Sequence, residues 1–445
     1  MKSFVDGSGP AAASYRYIIS ESGRGAGMHP MDIPSSRVLR IDELYRERWI
    51  ARLEESLSDL GYRPGIAKFA LSCAHPEGSE GSHRNAITLL SQGEPCLCAD
   101  DDVIFDIKSL PDSATTDSTP TAYPFHPFRD SAQLDEFERD AESIPVQEFM
   151  RLHETALQVA TFSSPGLRGD SAYGGARFIF TFPDSALEAH CRRANFVATA
   201  LSSRIMWRQA ARNHLVPYAA IATYLFGMDG RLNLAPCFPF HRNVDGAFIY
   251  ATKALNPEAR TAHLQTSVLH RPPVDRGRYP SLETLEFRIN DLLWLIWSEW
   301  LREVPAAMSS ADRHELASRH FREIGSRPLE AFGEFLRGLA VRSLLERAAQ
   351  LEAQVHRLRE KSGIAGLPAW TELAAKEVAL CRKIALDANT GSEWAKALPL
   401  ESHGPDRRDD DRLRITREWI LSYGWLLAAW PVMRKTTRDE FLKDF

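Results

Sequence analysis

The chain has 445 residues, of which 44% are hydrophobic and 25% charged, and its formal net charge is -5. This length is sufficient for two or three domains, and the composition is ordinary for a soluble globular protein. The negative net charge argues against a nucleic-acid-binding protein that works through a broadly basic surface.

The first third of the sequence alternates short apolar runs with amphipathic stretches. This alternation predicts βα units around a mainly parallel sheet. The apolar runs predict strands at 15–20, 38–41, 66–73 and 95–99. The helical spacing of apolar residues predicts helices at 42–60 and 84–92.

The rest of the chain changes character twice. Residues 110–123 are polar and lack periodicity, which predicts a loop, and a further strand is predicted at 177–182. From about residue 282 helical periodicity dominates, most clearly at 340–360. We therefore predict two domains, an α/β domain over 1–275 and an all-α domain over 276–445.

An acidic triplet, Asp100-Asp101-Asp102, directly follows the apolar run at 95–99. Ligands of open α/β sheets gather at the carboxyl ends of strands, and hard cations such as Mg²⁺ and Mn²⁺ prefer carboxylate oxygens. A second triplet at 409–411 lies among arginines with no strand before it, which is typical of a solvated surface. The context of the first triplet favours a site that binds a metal and a nucleotide.

Several motifs around this triplet resemble the GT-A glycosyltransferases, in particular the inverting family two and a divergent bacterial branch of it. The most specific is a helix that opens with Arg84-Asn85 and leads to the strand end CLCADDD. The likeness spans residues 15–270 and includes an acidic-Ser turn after the first strand (IISES), GDS at 169–171, GMD at 227–229 and FPFHRNVDG at 238–246.

The resemblance implies a GT-A-like, Rossmann-like α/β fold with a mixed, mainly parallel sheet flanked by helices. It also implies a Mn²⁺- or Mg²⁺-dependent enzyme in which Asp245 is the catalytic base, removing a proton from the acceptor hydroxyl. The remaining implied roles are donor binding by Glu21, Arg84, Asp100 and Asp101, acceptor contact by Asp170 and Arg242, and metal binding by Asp100, Asp102 and His270.

Each of these roles has a plainer alternative. Asp245 fits equally well as a helix N-cap or turn aspartate. Arg84 faces either a phosphate or an aspartate of the triplet. His270 is ahead of His263 and His241 as a ligand, but a lone histidine is more often a packed or surface residue.

The function expected from these motifs is transfer of a sugar from a nucleotide-sugar donor to an unidentified acceptor: a small molecule, a glycan or a peptide. The alternative is a non-catalytic GT-A-like binding or scaffolding protein that has lost full donor recognition, which the short segment before Tyr15 favours. A third reading is a metal-dependent transferase or hydrolase acting on another phosphorylated substrate.

The sequence also bears on location and partners. The apolar stretches at 292–301 and 419–432 are interrupted by a charge or too short to span a bilayer, so we expect no integral membrane span. Without a signal-peptide pattern, and with six scattered cysteines read as reduced thiols, a cytoplasmic protein is expected. A C-x-C metal site at Cys96 and Cys98 is the alternative, and a homo-oligomer is left open.

Overall fold

The structure is a computed structural model. It describes residues 17–20, 38–75, 78–110, 125–173, 175–217, 224–279, 282–283, 285, 287–305, 307–361, 363–390 and 409–442. Glu21 and almost all of the predicted loop at 110–123 lie outside the described residues.

The described strands form one small and one large sheet. The strands are β1 Tyr17–Ser20, β2 Val38–Ile41, β3 Pro95–Ala99, β4 Val103–Ser109, β5 Phe125–Pro127, β6 Glu142–Ser143, β7 Phe162–Asp170, β8 Ile205–Arg208, β9 His214–Val216, β10 Leu225–Asp229 and β11 Thr261–His270.

Helices precede, connect and follow these strands. Those before residue 260 are α1 Glu43–Ser58, α2 Ile66–Leu71, α3 Glu80–Leu90, α4 Ser131–Phe137, α5 Val146–Ala156, α6 Asp184–Cys191, α7 Phe196–Ser202 and α8 Val244–Leu255, with short 3₁₀ segments at Glu138–Asp140 and Ala176–Phe180. The C-terminal helices are α9 Ile289–Glu303, α10 Ser310–Gly325, α11 Leu329–Arg359, α12 Leu367–Thr390 and α13 Asp409–Glu440.

The large sheet has the central order β3-β10-β7-β11-β4-β6, with β8 and β5 continuing from β7 and β9 pairing with β11. Within the described strands of this sheet, β7 and β11 pair in parallel and the other pairs are antiparallel. The mixed α/β class and the C-terminal helical region are confirmed. Parallel pairs are fewer than predicted, because β10 lies between β3 and β7 and runs opposite to both. β4 likewise runs opposite to its neighbour β11.

Two predicted strands are wrong. Residues 66–73 contain helix α2, because the carboxylate of Glu54 accepts hydrogen bonds from the backbone N–H groups of Gly65, Ala67 and Lys68 and so caps its first turn. Residues 177–182 contain the 3₁₀ segment, whose Phe178 ring lies 5.4 Å from that of Phe125. In both segments tertiary contacts outweigh local β-propensity.

The first two strands also differ from expectation. β1 and β2 pair in parallel as a separate two-stranded sheet rather than as part of the large one. In contrast, β7 was not predicted, because its sequence FSSPGLRGD is rich in residues typical of loops. Gly166 is required there, since a Cβ would lie 2.1 Å from the carbonyl oxygen of Arg208.

Helices cover both faces of the large sheet. Phe226 and Met228 on β10 share a buried cluster with Val244 and Phe248 of α8, whereas Gly227 between them faces α5. The last helix, α13, lies against α1, α2, α3 and α10. Among the helices in the described part of the chain, none has both the length and the apolar character needed to cross a bilayer.

Candidate functional site

The ends of several strands meet at one edge of the large sheet. Because β3 and β7 both run opposite to β10, and β7 and β11 run in parallel, the carboxyl ends of β3, β7 and β11 lie on the same side. Backbone hydrogen bonds fix the acidic turn there: Asp100 N–H donates to the Tyr224 carbonyl over 2.8 Å, and Arg271 N–H to the Asp102 carbonyl over 2.9 Å. The triplet, Asp170 and His270 are thus brought to one edge.

Arg84 links the acidic turn to the motif around Asp245. The Arg84 guanidinium lies 3.4 Å from a carboxylate oxygen of Asp100 and 3.4 Å from one of Asp245. Its side chain is 11% exposed and lies over the Phe226 ring. Burial alone would lower the pKa of Arg84, but the charges of Asp245 and Asp100 outweigh it and raise that pKa. The guanidinium is therefore held charged between two carboxylates.

Asp100 is the most perturbed carboxylate at this edge. Burial against the surrounding protein, and after it the negative charges of Asp245 and Asp102, raise the pKa of Asp100 to about 7. The positive charges of Arg84 and His270 act in the opposite direction but are outweighed. The Asp100 side chain is still 48% exposed. A carboxyl group that titrates near neutrality and reaches solvent is suited to exchange a proton with a ligand.

Asp102 and His270 form a second ion pair. His270 Nε2 lies 3.0 Å from Asp102 Oδ2, and His270 Nδ1 lies 2.8 Å from the carbonyl oxygen of Asp170. Burial alone would lower the pKa of His270, but the hydrogen bond and charge of Asp102 raise it. Burial raises the pKa of Asp102, but the contacts with His270 and Arg276 lower it by more, so the net shift is downward. Both ring nitrogens of His270 are thus engaged, so its predicted role as a metal ligand requires one contact to break.

Three residues that sequence analysis did not select, Arg204, Arg276 and Tyr279, complete this half of the site. Arg204 pairs with Asp170 over 3.0 Å and lies over the Tyr279 ring. The Tyr279 hydroxyl lies 2.5 Å from that of Ser171. Arg276 NH2 lies 3.1 Å from Asp102 Oδ2. None of these residues belongs to the motifs that drew attention, and Arg276 and Tyr279 lie in the predicted boundary region.

The remaining predicted residues are less closely involved. Asp101 is the exposed tip of the turn, and Arg242 is exposed just before α8. His263 lies far along β11, opposite His214 of β9, and thus away from this edge. Asp245 lies in the first turn of α8, whose N-cap is Asn243, so the N-cap alternative for Asp245 is wrong by two positions.

A strained turn places Asp245. His241 and Asn243, just before α8, have φ values of 68° and 65°, in the left-handed region that non-glycine residues rarely adopt. The fully buried Asn290 of α9 donates its amide to the carbonyls of Phe240, His241 and Arg242 at 3.3, 3.3 and 2.9 Å. Strain of this kind is typical of functional sites and persists only where surrounding contacts hold it.

The fit of the site to a divalent cation rests on two oxygens. Asp102 Oδ1 is buried and accepts no hydrogen bond from the described residues, and the Asp100 carboxylate, whose charge interacts with that of Asp102, reaches solvent. Within the described ranges, no group of three or more His, Cys, Asp or Glu side chains is placed to hold a metal ion. Mg²⁺ is commonly bound by one or two carboxylates together with substrate phosphates and water. The donor set fits that shared mode rather than a complete protein cage.

Comparison with protein-family models, with curated proteins and with solved structures gives no match. A function for this chain is therefore inferred from its own residues.

Proposed function

We propose that this chain is a metal-dependent glycosyltransferase that moves a sugar from a nucleotide-sugar donor to an acceptor with inversion at the anomeric carbon. The observation that supports it is the convergence of Arg84, Asp100 and Asp245, which come from three separate elements, within 3.4 Å ion-pair distances. Three of the motifs that resemble glycosyltransferases, those around Arg84, the acidic triplet and Asp245, thus meet at one edge of the sheet, whereas Asp229 of GMD pairs with Pro95 at its opposite end. The inverting stereochemistry rests on the resemblance alone.

The donor diphosphate would lie against the acidic turn. Asp100 and the unpartnered oxygen of Asp102 would hold a Mn²⁺ or Mg²⁺ ion, which would neutralise charge that builds up on the leaving diphosphate. Arg84 offers further N–H donors to a phosphate once one of its carboxylate contacts opens. His270 fixes Asp102 from the opposite side over 3.0 Å.

The acceptor would approach the face that Asp245 borders. Its hydroxyl oxygen bonds to the anomeric carbon, its proton passes to the Asp245 carboxylate, and the bond from the anomeric carbon to the diphosphate breaks with the electron pair leaving on the diphosphate. Asp245 is 34% exposed, which leaves it accessible to an incoming hydroxyl. Arg242, which is exposed and lies three residues before Asp245, and Asp170 are proposed to border the acceptor.

Donor binding is the first test. UDP-, GDP- and TDP-sugars would be titrated into the full chain with MnCl₂ and followed by calorimetry and thermal shift. We expect one donor to bind the parent and to lose at least ten-fold in affinity in the D100N/D102N variant, because both carboxylates contact the cation. The D387N variant, which changes an exposed aspartate of α12, is the matched control and should bind like the parent.

The role of Asp245 needs a separate measurement. The D245N variant should still bind the donor, with affinity within a few-fold of the parent's because its contact with Arg84 changes, and should transfer sugar about 100-fold more slowly or worse because an amide cannot remove the proton. Product mass spectrometry with and without acceptor separates transfer from hydrolysis. Equal turnover in D245N and the parent would remove Asp245 as the base.

A non-catalytic binding protein is the second candidate. One observation favours it: the carboxylates of Asp100, Asp102, Asp170 and Asp245 each already have an arginine partner within the chain. A donor that binds the parent without any product forming would support this candidate. If no nucleotide sugar binds at all, the glycosyltransferase proposal fails and the result supports a scaffolding protein that has lost donor recognition.

A further inference from the structure

Arg276 spans two carboxylates of the candidate site. Its NH2 lies 3.1 Å from Asp102 Oδ2, and its NH1 lies 3.7 Å from Asp170 Oδ1. The two carboxylates are 12% and 9% exposed, whereas the Arg276 side chain is 40% exposed. A solvent-reachable guanidinium therefore supplies positive charge to two largely buried acids.

The segment that carries Arg276, residues 271–279, is fixed mainly at its ends. Arg271 N–H donates to the Asp102 carbonyl over 2.9 Å, and the Tyr279 hydroxyl lies 2.5 Å from that of Ser171. Between these anchors the chain is exposed, with Val274 at 72%, and Gly277 has a φ of 61°. The Arg276 side chain joins the middle of the segment to the site through its contacts with Asp102 and Asp170.

The positive charge of Arg276 opposes a divalent cation at Asp102. Asp102 Oδ2 already contacts both His270 and Arg276, while Oδ1 is buried without a hydrogen-bond partner in the described part of the chain. A cation on Asp102 would lie within a few ångströms of the guanidinium. Two positive charges at that separation repel by several kcal/mol even at an effective dielectric constant of about 20.

We propose that Arg276 is a built-in counter-ion that competes with a divalent cation for Asp102. The proposal rests on the proposed function, because the cation is the one assigned there. Binding of the cation moves the Arg276 side chain away from Asp102 and loosens the middle of segment 271–279. The segment thereby couples occupancy of the cation site to its own mobility.

The test is a titration of the full chain with MnCl₂ alone, with free Mn²⁺ measured by electron paramagnetic resonance. The R276Q variant should bind Mn²⁺ about ten-fold more tightly than the parent, because the competing charge is gone. R276K keeps the charge and should bind like the parent. R278Q changes a neighbouring exposed arginine of the same segment and should also bind like the parent.

Hydrogen exchange gives a second measurement. Saturating Mn²⁺ should speed amide exchange across 271–279 in the parent and leave a peptide from α10 unchanged. Equal Mn²⁺ affinity in R276Q and the parent overturns the competition but leaves the cation site of the proposed function standing. Absence of Mn²⁺ binding in both proteins overturns the competition, whereas the cation site of the proposed function, which includes donor phosphates, is decided by the nucleotide-sugar titration with MnCl₂.

Discussion

Arg84 and Asp100 show how single residues set the charge of the site. The Arg84 side chain is 11% exposed, and its guanidinium is stabilised by two carboxylates. Asp100, in contrast, has two acidic neighbours, Asp245 and Asp102, and it shares the charge of Arg84 with Asp245. Burial together with this imbalance raises the pKa of Asp100 to about 7, so its charged form is disfavoured in the folded chain. The same imbalance would favour binding of an additional cation.

The raised pKa of Asp100 predicts a pH-dependent stability difference. The folded chain retains a proton on Asp100 between about pH 4 and pH 7 that the unfolded chain releases, so ionisation of Asp100 lowers stability as the pH rises through this window. D100N removes that loss. The stability of D100N relative to the parent should therefore increase by about 1 kcal/mol from pH 5 to pH 8, a value reduced for solvent screening because the side chain is 48% exposed.

Urea unfolding of both proteins at pH 5, 6.5 and 8 measures this difference. D387N serves as the control, and its difference from the parent should not change with pH. A constant difference between D100N and the parent would show that Asp100 titrates in its ordinary range.

At the scale of elements, glycines decide how the C-terminal helices cross. A Cβ on Gly424 of α13 would lie 2.7 Å from the backbone nitrogen of Arg322 on α10. A Cβ on Gly325 of α10 would lie 2.5 Å from the backbone nitrogen of Leu421 on α13. Backbone atoms cannot move aside as a flexible side chain can, so the two helices approach closely only because neither position carries a side chain.

The crossing predicts opposite effects for two Gly→Ala substitutions. G424A should destabilise the chain by about 1–3 kcal/mol, because α10 and α13 must separate. G338A in α11 meets nothing within 4 Å and should stabilise by about 0.5–1 kcal/mol through helix propensity. Thermal and urea unfolding followed by circular dichroism measure both. A stabilising G424A would mean that the helices cross elsewhere.

The α9 helix shows how an element outside the predicted α/β domain supports the site. Its Asn290 holds three carbonyls of the turn before α8, and Asn243 in that turn donates to Asp291 over 2.5 Å. The position of Asp245 thus depends on residues that lie beyond the predicted boundary at 275. The helical region is part of the support for the candidate site.

At the scale of the whole molecule, one buried cluster runs through the sheet region and the C-terminal helices. Trp430 of α13 is fully buried, and its Nε1 donates to the Leu234 carbonyl over 2.8 Å. Trp49 of α1 donates to the hydroxyl of Thr437 over 3.2 Å. These contacts join residues that are hundreds of positions apart, so the two predicted domains share a core.

A shared core predicts a single unfolding transition. W430A should destabilise the chain by about 3–5 kcal/mol and lower the midpoint equally for helical circular dichroism and for hydrogen exchange of β7 peptides. W294A, which alters a tryptophan that is 44% exposed, should cost less than about 1 kcal/mol. If β7 remained protected after the helices had unfolded, the boundary at 275 would separate independent domains.

The sequence by itself determined the features that depend on local pattern. Helical periodicity predicted the C-terminal helical region, and the apolar run before Asp100 predicted the strand that ends in the acidic turn. Its position after a buried strand selected Asp100, whereas Arg84, Asp245 and His270 were selected through the resemblance to glycosyltransferases. Their assembly at one edge of the sheet could only be hypothesised.

Only the tertiary structure decided what depends on contacts between distant segments. The Gly- and Ser-rich β7 is a strand because the sheet on both sides supplies its partners, and 66–71 is a helix because Glu54 caps it. Arg204, Arg276 and Tyr279 belong to the site through Asp102, Asp170 and Ser171, which are 34 to 174 residues away from them. Such pairings are set by how elements pack, which residue spacing along the chain does not encode.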